Sequence, residues 1–118
     1  MLSAAHRLRT SDDIRTTIRR GRRAGSRTVL AHGRLRARSS EDATRVAFVV
    51  GKQVGNAVTR NTVKRRLRAL MASRLSALPG GSDVVLRALP PAARRSSVEL
   101  GHDLDLVLER LSQTRTPS

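Results

Sequence analysis

Residues 55–70 read GNAVTRNTVKRRLRAL and place Arg60, Lys64, Arg65, Arg66 and Arg68 within nine positions, with no carboxylate in the stretch. Guanidinium groups present paired N–H donors that fit two phosphate oxygens at once, and a lysine ammonium adds a compact point charge. The chemistry on offer is phosphate binding. Wound as a helix at about 100° per residue with Arg60 at zero, Lys64 falls at about 40°, Arg68 at about 80°, Asn61 at about 100° and Arg65 at about 140°. Val63, Leu67, Leu70 and Met71 share the arc from about 280° to about 20°, a stripe suited to burial that would hold the cations as a rigid surface array. Arg66 stands apart, on the other flank. Asn61 is a neutral amide among cations and neutralises nothing, so its presence points to a directed hydrogen bond with a base, a ribose or a backbone group.

Groups for catalysis by the protein itself are poorly placed, and no catalytic residue is expected. His6, His32 and His102 have no second ligand at metal-binding spacing. Asp12 and Asp13 suit the first turn of a helix, where the dipole favours negative charge. Asp103 and Asp105 are two apart on a helix and point to different faces, which does not make an acid and base pair. Gly51 and Gly55 lack the Gly-Lys-Ser/Thr ending of a phosphate-binding loop. RRGRR at 19–23 reads as a mobile basic turn that adds nonspecific attraction.

The whole chain of 118 residues carries a formal charge of +15, and its distribution is uneven. Up to Arg74 there are 19 basic and 4 acidic residues, whereas from Leu75 onward there are 5 of each. Such self-repulsion makes sense with a polyanionic partner whose condensed counterions are released on binding. A membrane surface would want aromatic or leucine anchors opposite the basic face; Phe48 is the single aromatic residue. The longest apolar runs, such as Val46–Val50, fall far short of the roughly 20 residues that span a bilayer. There is no cysteine, as suits a reducing compartment, so a cytoplasmic location is expected. Lys52 and Lys64 are the only lysines beside 22 arginines.

The elements that must position these residues can be read in order. TSDDIRTTIRRG predicts a short helix capped by Thr10 or Ser11, with Ile14 and Ile18 on one face and Gly21 as its stop. RTVLAHGRLRA and TRVAFVVG predict two strands joined by RSSED as an antiparallel hairpin. The second is apolar on both faces, which predicts a central strand. Asn56 predicts a helix cap, the helix running from Ala57 to about Leu78. SDVVLRAL predicts another strand. Ser96 and Glu99 form a capping box before a helix with Leu100, Leu104, Val107, Leu108 and Leu111 on one face. The expected fold is an α+β sandwich: helix, hairpin, helix, strand, helix, in one domain over residues 1–112, with 113–118 as a disordered tail.

VGKQVGNAVTRNTVKRRLR resembles the signature of the bacterial ribonuclease P protein subunit, in which a lysine precedes Gly and Asn-Ala-Val, followed by Arg-Asn and then Lys-Arg on one helix. Lys52, Gly55, Asn56, Ala57, Val58, Arg60, Asn61, Lys64, Arg65 and Arg68 carry the match, and HRLRTSDDI is similar to the family's N-terminal segment. The resemblance implies a three-stranded antiparallel section and a left-handed βαβ crossover, against the usual rule of hand. It implies that a partner RNA performs the catalysis, binding Mg²⁺ and hydrolysing the phosphodiester that releases the 5′ leader of precursor tRNA. It also implies that Lys52, Asn56, Arg60, Asn61, Lys64, Arg65 and Arg68 bind that RNA, and that a cleft between the first helix and the sheet receives the leader. This sequence departs from the family in two ways. Thr62 stands where another arginine is common. Ile14 and Ile18 replace cleft aromatics, and Ala31 aligns where a tyrosine is frequent, which leaves Phe48 as the one possible stacking platform.

The reading that follows is a ribozyme accessory subunit whose partners are the catalytic RNA and precursor tRNA, with no membrane and no obligate protein partner. The alternative is a ribosomal or general RNA-binding protein without a role in cleavage. A DNA-binding regulator is disfavoured, because the basic helix lacks helix-turn-helix spacing.

Overall fold

Thr10 starts the first helix: its hydroxyl accepts the Asp13 backbone N–H at 3.2 Å, and α1 runs Ser11–Arg20 before Gly21 caps it. The computed structural model describes residues 3–35 and 43–113. Beyond α1 come strands β1 (Arg22–Gly25), β2 (Val29–Leu35) and β3 (Arg45–Val49), helix α2 (Ala57–Ala72), strand β4 (Ser82–Ala88) and helix α3 (Ser97–Gln113). The architecture is α+β, with one four-stranded sheet in the order β1-β2-β4-β3.

Four local expectations are corrected. β2 and β3 do not form a hairpin: β4 lies between them, antiparallel to β2 and parallel to β3. The RSSED turn at 38–42 lies outside the described residues. β4 takes the centre because residues 82–86 and Ala88 are buried on both faces, and β3 is consequently an edge strand. β3 is apolar on both faces because helices cover both; its outer edge is met at one end by the N-terminal segment, where the Leu8 N–H donates to the Val46 carbonyl at 3.0 Å. RRGRR is no turn, since Arg22 and Arg23 open β1 against Gly33 and His32 of β2. The helix from Ala57 ends at Ala72, not Leu78, because its buried stripe of Val63, Leu67 and Met71 runs out there. A separate 3-10 turn over Leu75–Ala77 then folds Leu75 and Leu78 against the core. Antiparallel pairing joins β1, β2 and β4, so the section expected wholly before α2 takes its third strand from after it, and β3-α2-β4 is the parallel βαβ unit.

Strand alternation sorts the side chains into two layers. Val29 and Ala31 of β2, Val46 of β3, and Val84, Leu86 and Ala88 of β4 meet the buried stripes of α2 and α3 in the main core. Each of Leu100, Leu104, Leu108 and Leu111 is buried there, a contribution of about 1.5–3 kcal/mol per side chain. Residues one place along each strand face α1: Ala47 and Val85 join Leu8, with Ile14, Ile18 and Val49 packed against them. The capping box forms as expected, with the Ser96 N–H donating to Glu99 Oε1 at 3.1 Å and the Glu99 N–H to Ser96 Oγ at 3.2 Å. Hydrogen bonding from the Ser96 backbone N–H, then from Arg95, holds the Glu99 carboxyl below its ordinary value.

An ion cluster around the buried Asp83 ties α1 to the sheet. Asp83, fully buried at the start of β4, accepts from Arg45 Nε and Nη2 at 2.9 Å each. Arg45 Nη2 also reaches Asp13 Oδ2 on α1 at 3.2 Å, and Arg34 stands 3.8 Å from Asp83. Its hydrogen bonds to Asp83 raise the Arg45 pKa; the hydrogen bond with Thr10, then the charge of Arg45, lowers that of Asp13. The two aspartates of α3 serve structure, on different faces as expected: Thr28 Oγ1 donates to Asp103 at 2.6 Å, and Arg74 Nε of the α2 side donates to Asp105 at 2.6 Å.

Candidate nucleic-acid interface

The signature residues sit where β3 hands over to α2. A 3-10 turn over Lys52–Val54 leaves Lys52 exposed and buries Val54 as its anchor. Gly55 follows with φ at 158°, and a Cβ there would stand 2.9 Å from the Thr59 side chain. Glycine therefore lets the turn close onto the first turn of α2. Asn56 then caps the helix, its Oδ1 accepting the Thr59 N–H at 2.9 Å. The Asn56 oxygen is thus committed to the cap, while its amide N–H groups are left for a ligand.

Burial of Val63, Leu67 and Met71 turns the cationic face of α2 outward. The structure divides the expected array in two. Asn61 and Arg65 are exposed on the open ridge, whereas Arg60, Lys64 and Arg68 are half-buried on its flank. Arg60 Nε is buried without a hydrogen-bond partner. Arg66, expected on the far flank, donates from Nη1 to the Arg95 carbonyl at 3.1 Å. Thr62, in the position where the family favours arginine, returns its hydroxyl to the Val58 carbonyl at 3.0 Å.

Lys64 and Arg68 line a groove of about 310 Å³ at the outer edge of β3, together with Arg7 and Arg9 of the N-terminal segment, Ile14 and Phe48. Four cations ring this groove, and no carboxylate lines it among the described residues. The Arg68 guanidinium lies 5.9 Å from the Phe48 ring centroid, within cation–π range. Ile14 and Phe48 reach the groove from opposite sides of the sheet: Phe48 packs against the main core, Ile14 against the α1 layer. Ile18 shares that layer but does not line the groove.

Two features escaped the sequence reading. Arg7 and Arg9 line the groove because Leu8 between them is buried beside β3; the Arg-Leu-Arg alternation of an extended segment was the available signal. Ala31, aligned with a frequent tyrosine, is fully buried in the main core, and its neighbour His32 is the residue turned toward the α1 side. His32 is 6% exposed with neither ring nitrogen partnered. Burial, then the charges of Arg87 and Arg23, lowers its pKa from 6.5. It is therefore a neutral ring beneath two cations.

Ridge and groove together offer forked phosphate donors on a preformed helix and a narrow channel with one aromatic and one aliphatic wall. This suits single-stranded and structured polyanion alike. Among the described residues, no three His, Cys, Asp or Glu side chains gather as a metal site, and no helix is long and apolar enough to cross a membrane.

Comparison with known proteins agrees with this chemistry. A family model described as Ribonuclease P matches residues 2–112. The ribonuclease P protein component of Nocardioides sp. is 52% identical over 111 residues, covering 94% of this chain and 95% of its own. That of Streptomyces bikiniensis is 50% identical over 117 residues, covering 94% and 95%. Among solved structures, the RNase P protein of Staphylococcus aureus matches with a TM-score of 0.76 at 25% identity, covering 89% of this chain and 94% of that one.

Proposed function

The chain belongs to the ribonuclease P family, and from that membership we propose that it is the protein subunit of a cytoplasmic ribonucleoprotein that removes the 5′ leader of precursor tRNA. The catalytic RNA docks on the ridge: Arg60, Lys64, Arg65 and Arg68 meet its phosphates, Asn61 supplies a directed hydrogen bond, and Lys52 and Asn56 extend the contact past the start of α2. The leader enters between α1 and the sheet and runs along the β3 edge. Ile14 and Phe48 form its walls there, with Ile18 behind them as support for α1. Lacking a run of cleft aromatics, this protein grips the leader by charge and shape.

Mg²⁺ takes oxygen ligands, chiefly carboxylates and phosphates. The ridge and groove present cations and amides, a donor set that does not fit the ion. The metal therefore belongs to the RNA, and the protein contributes by neutralising phosphates and holding the substrate.

The observation that carries this reading is a preformed cationic helix face continuous with a groove that no carboxylate lines among the described residues. Binding to it requires no folding of the helix, so little affinity is lost to ordering. The family match favours this reading over a ribosomal or general RNA-binding role. The test is cleavage of precursor tRNA by the catalytic RNA at low Mg²⁺, with and without the protein. Stimulation by the protein is expected, and its absence would return the protein to the general RNA-binding class.

A further inference from the structure

The RRGRR stretch at 19–23 has no part in the interface above, yet the fold holds it rigidly. The Gly21 N–H donates to the Thr17 carbonyl at 2.8 Å. A Cβ on Gly21 would collide with that same carbonyl oxygen and stand 2.8 Å from the Gly33 carbonyl oxygen. The end of α1 is thus packed backbone to backbone on β2, and the arginines on either side of Gly21 have fixed points of departure. Arg22 begins β1 opposite Gly33.

Arg20 and Arg22 line a cavity of about 350 Å³ whose apolar part is formed by Leu35, Leu78, Val84 and Leu111. Arg34 also borders it, with its guanidinium 3.8 Å from Asp83. Arg20 and Arg22 are exposed, and no carboxylate lines the cavity among the described residues. The cavity lies where β2 finishes and β4 starts, at the Leu35–Ser82 pairing. The signature turn follows the opposite end of the sheet, beyond the Val49–Arg87 pairing. The two sites are therefore separate.

A site with this pairing of groups selects its ligand by chemistry. A free inorganic anion has no use for an apolar floor, and an apolar molecule has none for two unpaired guanidiniums. A nucleotide uses both, and the volume lies within the roughly 300–1,000 Å³ of small-ligand pockets. Its base must be unstacked to enter, as bases of single-stranded RNA are. We propose that this cavity is a second RNA contact that takes one unstacked nucleotide, its base against Leu35, Leu78, Val84 and Leu111 and its phosphate on Arg20 and Arg22.

The test is a methyl NMR titration of the full chain with uridine 5′-monophosphate and, separately, with inorganic phosphate. The nucleotide shifts the methyl signals of Leu35, Leu78, Val84 and Leu111, and phosphate alone leaves them in place. Arg20→Gln with Arg22→Gln weakens the nucleotide by about tenfold or more. It also lowers the salt slope for an unstructured oligoribonucleotide by about 0.7, the value for one phosphate on a single strand. Leu35→Trp fills the cavity without changing charge and abolishes the methyl shifts. Equal shifts from phosphate and nucleotide, or none from the nucleotide, would overturn the proposal. Neither titration involves the catalytic RNA or tRNA cleavage, so its failure is distinguishable from failure of the function proposed above.

Discussion

The Arg68 guanidinium lies over the ring of Phe48, 5.9 Å from its centroid. The single aromatic residue of the chain is therefore a bed for a cation at the mouth of the groove, and the face beneath Arg68 is not bare for a base to stack on. A double-mutant cycle of Arg68→Ala and Phe48→Leu, read as affinity for leader-bearing precursor tRNA, is expected to show a coupling of about 0.5–1 kcal/mol. Strictly additive losses would mean that the two side chains act independently.

Arg65 stands exposed on the ridge and supports no packing. Arg65→Ala should weaken binding of the catalytic RNA and lower the slope of log affinity against log salt by about 0.9. Its unfolding midpoint should stay within about 0.5 kcal/mol of the parent. A slope equal to the parent's would remove Arg65 from the phosphate contacts.

Asp83 is fully buried and accepts two short bonds from Arg45. Asp83→Ala leaves that guanidinium without its main counter-charge beneath α1, a loss of about 3–5 kcal/mol in chemical denaturation. Leader binding should suffer with it, because Arg45 also holds Asp13 of α1. A loss below about 1 kcal/mol would show that the cluster is not what seats the helix.

His32 gives stability a definite pH dependence. Its folded pKa lies below the ordinary 6.5 because burial disfavours the charged ring. As pH falls through 6.5 the unfolded chain takes up a proton at this residue before the folded chain does, so stability declines with acidity until the folded pKa is passed. His32→Phe should flatten the stability curve between about pH 7 and about pH 5. An unchanged curve there would assign the acid sensitivity to other groups.

The residues near one another in sequence were legible because their information is local. The caps at Thr10, Asn56 and Ser96 announce helix starts through side chains that satisfy nearby N–H groups. The spacing of Val63, Leu67 and Met71 was enough to say which side of α2 would be buried, and so which cations would face out. Strand order was not legible. TRVAFVVG reads as central because it is apolar on both faces, and nothing within it says that helices would cover those faces while β4 took the middle. Arg7, Arg9 and Phe48 were each visible as residues, but their meeting at one groove depends on the N-terminal segment docking against the β3 edge.

What the sequence determined by itself is the kind of partner: the excess of guanidiniums and their helical phase prescribe a polyanion, since charge and periodicity survive any arrangement of the elements. What tertiary structure decided is which cations act together. Long-range strand pairing placed Lys64 and Arg68 beside Arg7 and Arg9 at one edge of the sheet, and Arg20 beside Arg22 over a separate apolar cavity. Those groupings rest on contacts between distant segments, where buried area and backbone pairing, not local preference, set the outcome.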